Sequence, residues 1–412
     1  KLGVDYAWPK YAQIVGRDYV SGAMENTTST LHGEYAYQNS RELLDENTWE
    51  PVIAHELFHQ WFGDLVTCES WSNLTVNESF ADFSETLWAE YKYGKDAGDE
   101  TNYEGMAGYL GSFSHDVNLV RFYYKDKEDM FDAVSYNKGG RILNMLRNYV
   151  GEDAFFKSLN KYLTDNKFKS GEAQQLRLAF EAVTGKDLNW FWNQWYYGSG
   201  HPMLSIDYKY DDAAGKATVI MKQTQQGNAF KLPVAIDVYN GADNKRYNVW
   251  MTNKTDSFVF NYTRRPDLIN VDGDKILLCE KTDNKTADNF IAQLKYAPLY
   301  SDRREAYEYF AKNQMLQLKD GLKDKYPGLR QFVLEQVMND SAMLADESMQ
   351  QTILQIAEND ADRKTRAKAI EALGYTEDEK YKALFEKNVT DSSYSVAGAS
   401  LNALNYIDSA EA

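Results

Sequence analysis

Hydrophobic and polar positions fall into three successive patterns along this chain of 412 residues. Up to about residue 197, a segment at 13–19 that indicates a strand entering a glycine-containing turn is followed, from Pro51 onward, by helical and aromatic-rich stretches. Apolar residues from Leu204 to Tyr210 then alternate with polar ones at the two-residue period of a half-buried strand. From about Thr286 the apolar spacing is helical to the C-terminus. These patterns predict a multidomain α+β protein.

The middle pattern consists of short apolar runs separated by turn signals such as Asn240-Gly241 and Asp272-Gly273. The runs predicted as strands after the first one are 217–221, 232–239, 247–251, 257–260 and 276–279. About 80 residues of this kind are typical of a small β-sandwich.

The two changes of pattern predict three domains: residues 1–200, a β-sandwich at 201–283 and an α-helical domain at 284–412. This number agrees with roughly 100 to 200 residues per domain. In the helical part the segment 369–373 is echoed at 400–404, which suggests stacked helical pairs of the HEAT kind. Ordinary helix composition explains such an echo equally well, so both interpretations stay open.

The charge of the chain excludes one large class of function. It has 45 Lys and Arg against 62 Asp and Glu, a net charge of −17 that repels phosphate backbones, so no nucleic-acid partner is expected. No apolar run approaches the roughly 18 residues of a membrane span. Cys68 and Cys279 lie far apart and are interpreted as buried small residues. The compartment stays open between cytoplasmic and periplasmic or secreted.

The strongest chemical signal is the pentad at 55–59. His55 and His59 are four residues apart, so on a helix their imidazoles share one face and can reach one Zn²⁺ at roughly 2.0 to 2.1 Å. Glu56 lies beside that face, in position to take a proton from a zinc-bound water rather than to bind the metal. The pentad predicts one catalytic Zn²⁺ per chain, with Glu56 as the general base.

The third metal ligand must come from another element, because a catalytic zinc usually has three protein ligands and one open position. Glu78, 19 residues after His59 at the predicted start of a helix, is the candidate. Asp82 follows one turn later on the same face. Two interpretations of Asp82 stay open. It accepts a hydrogen bond from a ligating imidazole without binding the metal itself, or it is an ordinary solvated helix residue.

Two motifs make the chain resemble a known family. His55 to His59 with Glu78 is similar to the zinc signature of the gluzincins, and Gly22-Ala23-Met24-Glu25-Asn26 resembles the exopeptidase motif of M1 aminopeptidases. The segments 59–63 and 136–140 agree with the family as well. The likeness runs from about Leu2 to Pro202. It implies a thermolysin-like catalytic domain over 1–200, followed by the β-sandwich and the helical domain in the family's order.

The resemblance also implies roles for individual residues. Glu25 would bind the free α-amine of a peptide, Gly22 and Ala23 would line the cleft along the peptide backbone, and Met24 would border the first side-chain pocket. Tyr136 would donate a hydrogen bond to the developing oxyanion. With the zinc site, these roles imply a zinc-dependent aminopeptidase that removes N-terminal residues from peptides through a metal-activated water.

The chain departs from the family in two places. Asn137 stands where many relatives have Glu, which affects only the anchoring of that loop. Relatives also carry, before the motif at residue 22, a large β-rich domain that supplies a second group near the substrate amine. This chain starts at Lys1 without it, so we expect the N-terminal β domain to be a missing partner. We further expect an exposed apolar surface and incomplete recognition of the amine.

Two other functions compete with the aminopeptidase. One is an epoxide-hydrolysing relative that uses the same zinc site; Ala23 favours the peptidase, because those relatives tend to have Gly there. The other is a catalytically silent peptide-binding scaffold. The intact set of site residues argues against the scaffold, and the missing domain argues for it.

Overall fold

Residues 1–407 are described by a computed structural model in which the chain forms two units. The first unit consists of Lys1–Glu34 and Glu50–Ala292, and the second of Tyr35–Trp49 and the chain from Gln293 onward. The division into three domains stays a prediction.

Among the described residues, helices contain more of the chain than strands do. Within residues 1–407 the α-helices are α1 (Glu42–Asp45), α2 (Glu50–His59), α3 (Thr75–Tyr93), α4 (Lys95–Leu110), α5 (Gly139–Val150), α6 (Glu152–Asn166), α7 (Ala173–Thr184), α8 (Asn189–Trp195), α9 (Ala287–Tyr296), α10 (Tyr300–Lys312), α11 (Pro327–Met338), α12 (Ser341–Leu344), α13 (Glu347–Asn359), α14 (Arg363–Gly374), α15 (Lys382–Asn388) and α16 (Tyr394–Ile407). A π-helical turn, Val134–Lys138, leads directly into α5.

Within residues 1–407, the strands before residue 200 have at most five residues, whereas those between residues 203 and 261 have seven to nine. They are β1 (Ala12–Gly16), β2 (Ala23–Met24), β3 (Ser29–Gly33), β4 (Val66–Cys68), β5 (Lys169–Gly171), β6 (Met203–Asp211), β7 (Lys216–Gln223), β8 (Leu232–Asn240), β9 (Asp243–Met251), β10 (Thr255–Asn261), β11 (Leu268–Val271) and β12 (Glu280–Asp283).

The packing of α2 against α3 holds the two predicted metal-binding segments side by side. The apolar residues Val76, Phe80 and Phe83 of α3 recur at helical spacing and are almost fully buried. Phe80 stacks on Phe62, three residues after the end of α2, with ring centroids 4.1 Å apart. Gly94 ends α3 with a φ of 96°, a backbone conformation that favours glycine.

Two sheets account for the predicted strand region. Their strand orders are β10-β7-β6-β12 and β11-β8-β9. The fully buried residues Ile206, Val219 and Ile236 come from both sheets and belong to one hydrophobic core, which also includes residues of the preceding helices. The mixed α and β composition predicted from the sequence is confirmed.

One predicted strand, 276–279, is wrong. Residues 277–279 are buried and Ile276 is partly buried, but the backbone of the segment does not pair with another strand. Instead, the amides of Ile276 and Leu277 donate to the two carboxylate oxygens of Asp272 at 3.2 and 3.1 Å. Because a side chain satisfies these amides, the segment can be buried without joining a sheet. The strands that the sequence missed flank it, at β11 and β12.

The second unit is helical and includes a segment from early in the chain. Asp45 of α1 accepts a hydrogen bond from the amide of Ser395 at 2.9 Å, and Arg41 donates to the carbonyl of Asp391 at 2.8 Å. Both echoed segments are helical, in α14 and α16, and a Cβ on Gly374 would lie 2.7 Å from that of Ala403. The HEAT-like repeat stays a prediction.

Three further expectations from the sequence concern the two cysteines, an exposed apolar surface near the N-terminus, and the absence of a membrane span. Both cysteines are free thiols; Cys279 is buried as predicted, whereas Cys68 is only partly buried. Two apolar residues near the N-terminus, Ile14 and Val20, are 52% and 96% exposed. No helix in residues 1–407 combines the length and the apolar character needed to cross a bilayer.

Candidate metal centre and active site

Helix α2 carries both histidines and the adjacent glutamate of the pentad. The imidazole rings of His55 and His59 are 4.8 Å apart between centroids, as expected for residues one turn apart. Glu56 and His59 are buried, at 6% and 1% exposure. The helix therefore presents two imidazole nitrogens that could bind a metal, together with one carboxylate, to a site that is largely buried from solvent.

Glu78, in the first turn of α3, faces the two imidazoles. Its Oε2 atom lies 3.5 Å from His55 Nε2 and 3.3 Å from His59 Nε2. Ligand atoms of these three residues lie within 4.8 Å of one another, and the buried Oε2 has no hydrogen-bond partner. Two imidazole nitrogens and one carboxylate oxygen, converging with an oxygen left unsatisfied, fit a zinc ion with an open position.

Each of the two imidazoles is oriented by a partner on the ring nitrogen that faces away from Glu78. His59 Nδ1 lies 2.9 Å from the carbonyl oxygen of Phe62, which can only accept, so Nδ1 carries the proton. His55 Nδ1 lies 2.8 Å from Glu85 Oε1. Both arrangements direct Nε2 toward Glu78, as a metal ligand requires.

The carboxylate that contacts one of these outer imidazole nitrogens is that of Glu85. Asp82 takes neither of the two roles that the sequence left open: it accepts no hydrogen bond from an imidazole within residues 1–407, and its side chain is only 12% exposed. Asp82 accepts instead from Arg141 Nη2 of α5 at 3.2 Å. Burial raises the pKa of Asp82 to about 6, against the effect of Arg141. Glu85 lies seven residues after Glu78 and so on the same helical face; this spacing is the signal that sequence reasoning missed.

The electrostatics of the site reflect strong coupling between the imidazoles and Glu78. Burial alone would lower the pKa of His59, but the Glu78 carboxylate outweighs it and raises that pKa to about 9. The pKa of Glu78 is held well below its usual range, because the two imidazoles outweigh the opposing effect of burial. The site is therefore built to stabilise positive charge between these three side chains.

Glu56 is a further carboxylate beside His55, His59 and Glu78. Its Oε2 atom is buried without a hydrogen-bond partner, and burial raises its pKa to about 7. Ligand atoms of Glu25, Glu56 and His59 also lie within 4.8 Å of one another. The structure thus brings Glu25, from a different part of the chain, next to the centre.

The segment before Glu25 forms a short edge strand. β2, Ala23–Met24, pairs antiparallel with the central strand β3, and Met24 is 40% exposed. The carbonyl of Gly22 accepts a hydrogen bond from the amide of Gly33 at 2.8 Å. These contacts hold the 22–25 segment in an extended form beside the site, but the roles of Gly22, Ala23 and Met24 toward a substrate stay predictions.

Tyr136 lies in the π-helical turn, and its ring is nearly parallel to that of His55 at 6.1 Å between centroids. Burial, followed by the Glu78 carboxylate, raises the pKa of Tyr136, so its phenol remains a hydrogen-bond donor. The turn is anchored by Asp132, which accepts from the amides of Val134 and Ser135 at 3.0 Å. Asp132 is itself paired with Arg121 Nη1 at 2.8 Å.

Two glycines after Tyr136 allow the turn to pack on α3. A Cβ on Gly139 would lie 1.8 Å from Ser79 Oγ, and a Cβ on Gly140 would lie 2.1 Å from Asp82 Oδ2. Ser79 Oγ also donates to the carbonyl of Ser135 at 2.6 Å. Tyr136 is therefore held at a set distance from the helix that carries Glu78.

Replacing Gly139 by Ala is expected to destabilise the first unit by about 1 to 3 kcal/mol, because the added methyl overlaps Ser79. Urea unfolding measures the change. The control is Gly398→Ala in α16, where a Cβ meets nothing within 4 Å, and where a gain of about 0.5 to 1 kcal/mol is expected. A Gly139→Ala variant as stable as the wild type would show that the turn is not packed against α3.

Comparison with known proteins identifies a family and a set of similar sequences. Residues 1–195 match the family described as Peptidase family M1 domain. Aminopeptidase M1 of Arabidopsis thaliana is 33% identical over an alignment of 221 residues that covers 50% of this chain and 24% of that protein. Tricorn protease-interacting factor F2 of Thermoplasma acidophilum is 34% identical over 213 residues, 50% of this chain and 27% of that protein.

One solved structure is similar in fold over the whole chain. The crystal structure of Legionella pneumophila aminopeptidase A in complex with aspartic acid has a TM-score of 0.76 at 16% identity and covers 100% of this chain and 55% of that chain. At this identity the likeness concerns the fold alone. The alignments with the two curated relatives named above span only about a quarter of each relative's length.

Proposed function

This chain belongs to peptidase family M1, and from that premise we propose that it acts as a zinc-dependent aminopeptidase that removes single residues from the N-terminus of peptides. The observation that supports this best is the neighbourhood of Glu25. Its carboxylate lies within 4.8 Å of ligand atoms of Glu56 and His59, so a binding group for an amine adjoins the candidate metal centre.

In this proposal His55, His59 and Glu78 hold the metal. When bound, zinc supplies a Lewis acid that polarises the scissile carbonyl and activates the attacking water. Glu56 lies beside the ligands with its Oε2 atom unpaired, so it can take the proton from that water and later deliver it to the leaving amine nitrogen. Tyr136 donates its phenolic hydrogen to the oxyanion that forms at the attacked carbonyl.

Glu25 determines where the peptide is cut. A carboxylate facing an ammonium in a partly dry cleft forms a charge-assisted hydrogen bond worth about 1.5 to 3 kcal/mol. Only a free N-terminal amine carries that charge next to the first peptide bond. The expected products are therefore single amino acids and a peptide shortened by one residue.

Hydrolysis of aminoacyl chromogenic amides by the zinc-loaded chain tests the proposal. Each substrate is run beside its N-acetylated counterpart and with a chelator control. We expect cleavage of the free-amine substrates alone, abolished by the chelator. Equal cleavage of the acetylated substrates, or cleavage that survives complete removal of the metal, would contradict the proposal. Metal binding without any turnover would instead favour a silent peptide-binding scaffold.

The outer hydrogen bond of His55 gives a separate prediction about zinc affinity. Replacing Glu85 by Ala is expected to weaken zinc binding by about 10 to 100-fold, because such outer partners orient the ligand and raise its basicity. Competition with a chromogenic chelator measures the affinity. The Glu85 side chain is 29% exposed, so its loss leaves no buried cavity.

Asp82→Asn is the matched comparison for Glu85→Ala, because both residues lie on the same face of α3. Asp82 pairs with Arg141, so this variant should lose folding stability and keep its zinc affinity within about threefold. A larger loss of zinc affinity in Asp82→Asn than in Glu85→Ala would show that Asp82, and not Glu85, is the residue that supports the imidazole of His55.

A further inference from the structure

Gln60, the residue after His59, connects the metal-binding helix to the segment that carries Glu25. It is fully buried, at 0% exposure. Its Nε2 atom donates to the carbonyl oxygen of Glu25 at 2.9 Å, and its Oε1 atom accepts from the amide of Thr28 at 2.9 Å. A carbonyl only accepts and an amide N–H only donates, so the two partners allow a single orientation of the side-chain amide.

The segment held by Gln60 is a tight turn in an unfavourable conformation. The amide of Ser29 donates to the carbonyl of Asn26 at 2.8 Å, which closes the turn. Thr28 has a φ of 67°, in the left-handed region that β-branched residues rarely adopt. Such a conformation persists only where its surroundings enforce it. The hydrogen bond from Thr28 to Gln60 is one of the contacts that enforce it.

The sheet alone holds Glu25 weakly. The strand before it, β2, has only two residues and lies at the edge of a three-stranded sheet. Short edge strands contribute few ladder hydrogen bonds. The bond from Gln60 to the carbonyl of Glu25 is therefore a direct tie between this residue and the end of α2.

We propose that Gln60 is the positioning residue for Glu25. Through the backbone carbonyl of Glu25, it joins the residue whose carboxylate receives the substrate's amine to the end of the helix that carries His55, Glu56 and His59. The distance between the amine site and the metal site is then set by one helix, and the register of cleavage follows from it. This inference rests on the proposed function, because it assigns Glu25 to the amine.

The test compares two hydroxamates that differ only in the amine: alanine hydroxamate and propanohydroxamate. Calorimetry with the zinc-loaded full chain gives the ratio of their affinities, which isolates the contribution of the amine. For the wild type we expect alanine hydroxamate to bind about 10 to 100-fold more tightly. In Gln60→Met the ratio should fall to about threefold or less, while propanohydroxamate binds within about threefold of its wild-type affinity.

Gln223→Met is the matched control. Gln223 is also buried, at 4% exposure, and also bridges two backbone groups, donating to the carbonyl of Phe230 at 2.7 Å and accepting from its amide at 2.8 Å. It lies in β7, among the strands after residue 200. This variant should lose a similar amount of folding stability and keep the wild-type ratio of the two hydroxamate affinities.

A second variant, Gln60→Glu, covers the case in which Gln60→Met does not fold. It keeps an acceptor for the Thr28 amide and loses the donor to Glu25, so the ratio should still fall by at least about threefold. An unchanged ratio in the folded Gln60 variants overturns the inference. Equal weakening of both hydroxamates also overturns it, because that result indicates a purely structural role.

The outcome for the wild type separates this inference from the proposed function. If the wild type hydrolyses free-amine substrates and prefers alanine hydroxamate while the Gln60 variants keep that preference, only the role of Gln60 is rejected. If the wild type itself shows neither hydrolysis nor a preference for the amine, the proposed function is rejected and the role of Gln60 with it.

Discussion

Glu56→Gln is expected to lower turnover of aminoacyl amides by about 10² to 10⁴-fold while the chain keeps its zinc, because an amide cannot accept and return the proton of the attacking water. The replacement has nearly the same shape. Glu56 Oε2 makes no hydrogen bond to the protein, so the fold loses no contact there. Initial rates, together with zinc content by atomic absorption, measure both parts of the prediction.

The control for this variant is Glu69→Gln, which removes an equal charge from an exposed position just after β4. It should have wild-type turnover and wild-type zinc content. Turnover by Glu56→Gln within about tenfold of the wild type, at full zinc content, would mean that another group is the base. Glu25 would then be the next carboxylate to test, because it adjoins the same site.

Glu78→Ala is expected to abolish zinc binding at micromolar metal and to lose turnover with it. Without the Glu78 carboxylate, the predicted ligands are reduced to two imidazoles on one helix, and a catalytic zinc usually needs three protein ligands. The loss of affinity should exceed the roughly 10 to 100-fold expected for the outer partner Glu85. Equilibrium dialysis followed by metal analysis gives the affinity directly.

Glu90→Ala is the matched control on the same helix. Glu90 accepts from Arg147 Nη1 at 2.7 Å, in the last turn of α3, so its removal should cost some stability and leave zinc affinity unchanged. Full zinc content in Glu78→Ala would contradict the proposal that Glu78 is the third zinc ligand. It would favour the neighbouring group formed by Glu25, Glu56 and His59 as the metal site.

The histidine pair and Glu56 could be predicted from the pentad because the relevant geometry is local. Residues four apart on a helix always share a face, so the pair needed no tertiary information. Glu78 required more, since it lies on a second helix. Its prediction came from the spacing and the family resemblance, and the packing of Phe62 on Phe80 shows how the two helices are held together.

Asp82 and Glu85 show where sequence reasoning stopped. Both residues lie on the face of α3 that carries Glu78, but the sequence led only to Asp82 as a partner for an imidazole, and Glu85 was missed. The choice depends on Arg141 of α5, whose guanidinium binds Asp82 and leaves His55 to Glu85. Gln60 is a similar case: its position beside His59 was visible, but its two backbone partners were not.

The sequence by itself therefore determined what depends on the chain's own periodicity: the paired histidines, the glutamate beside them, and the change from helices to strands and back. The tertiary structure decided which side chain completes each contact. It assigned Glu85 to His55, Gln60 to the Glu25 segment, and Asp272 to the buried amides of residues 276 and 277. The physical reason is that helix and strand periodicity is local, whereas a hydrogen bond between elements depends on how those elements pack.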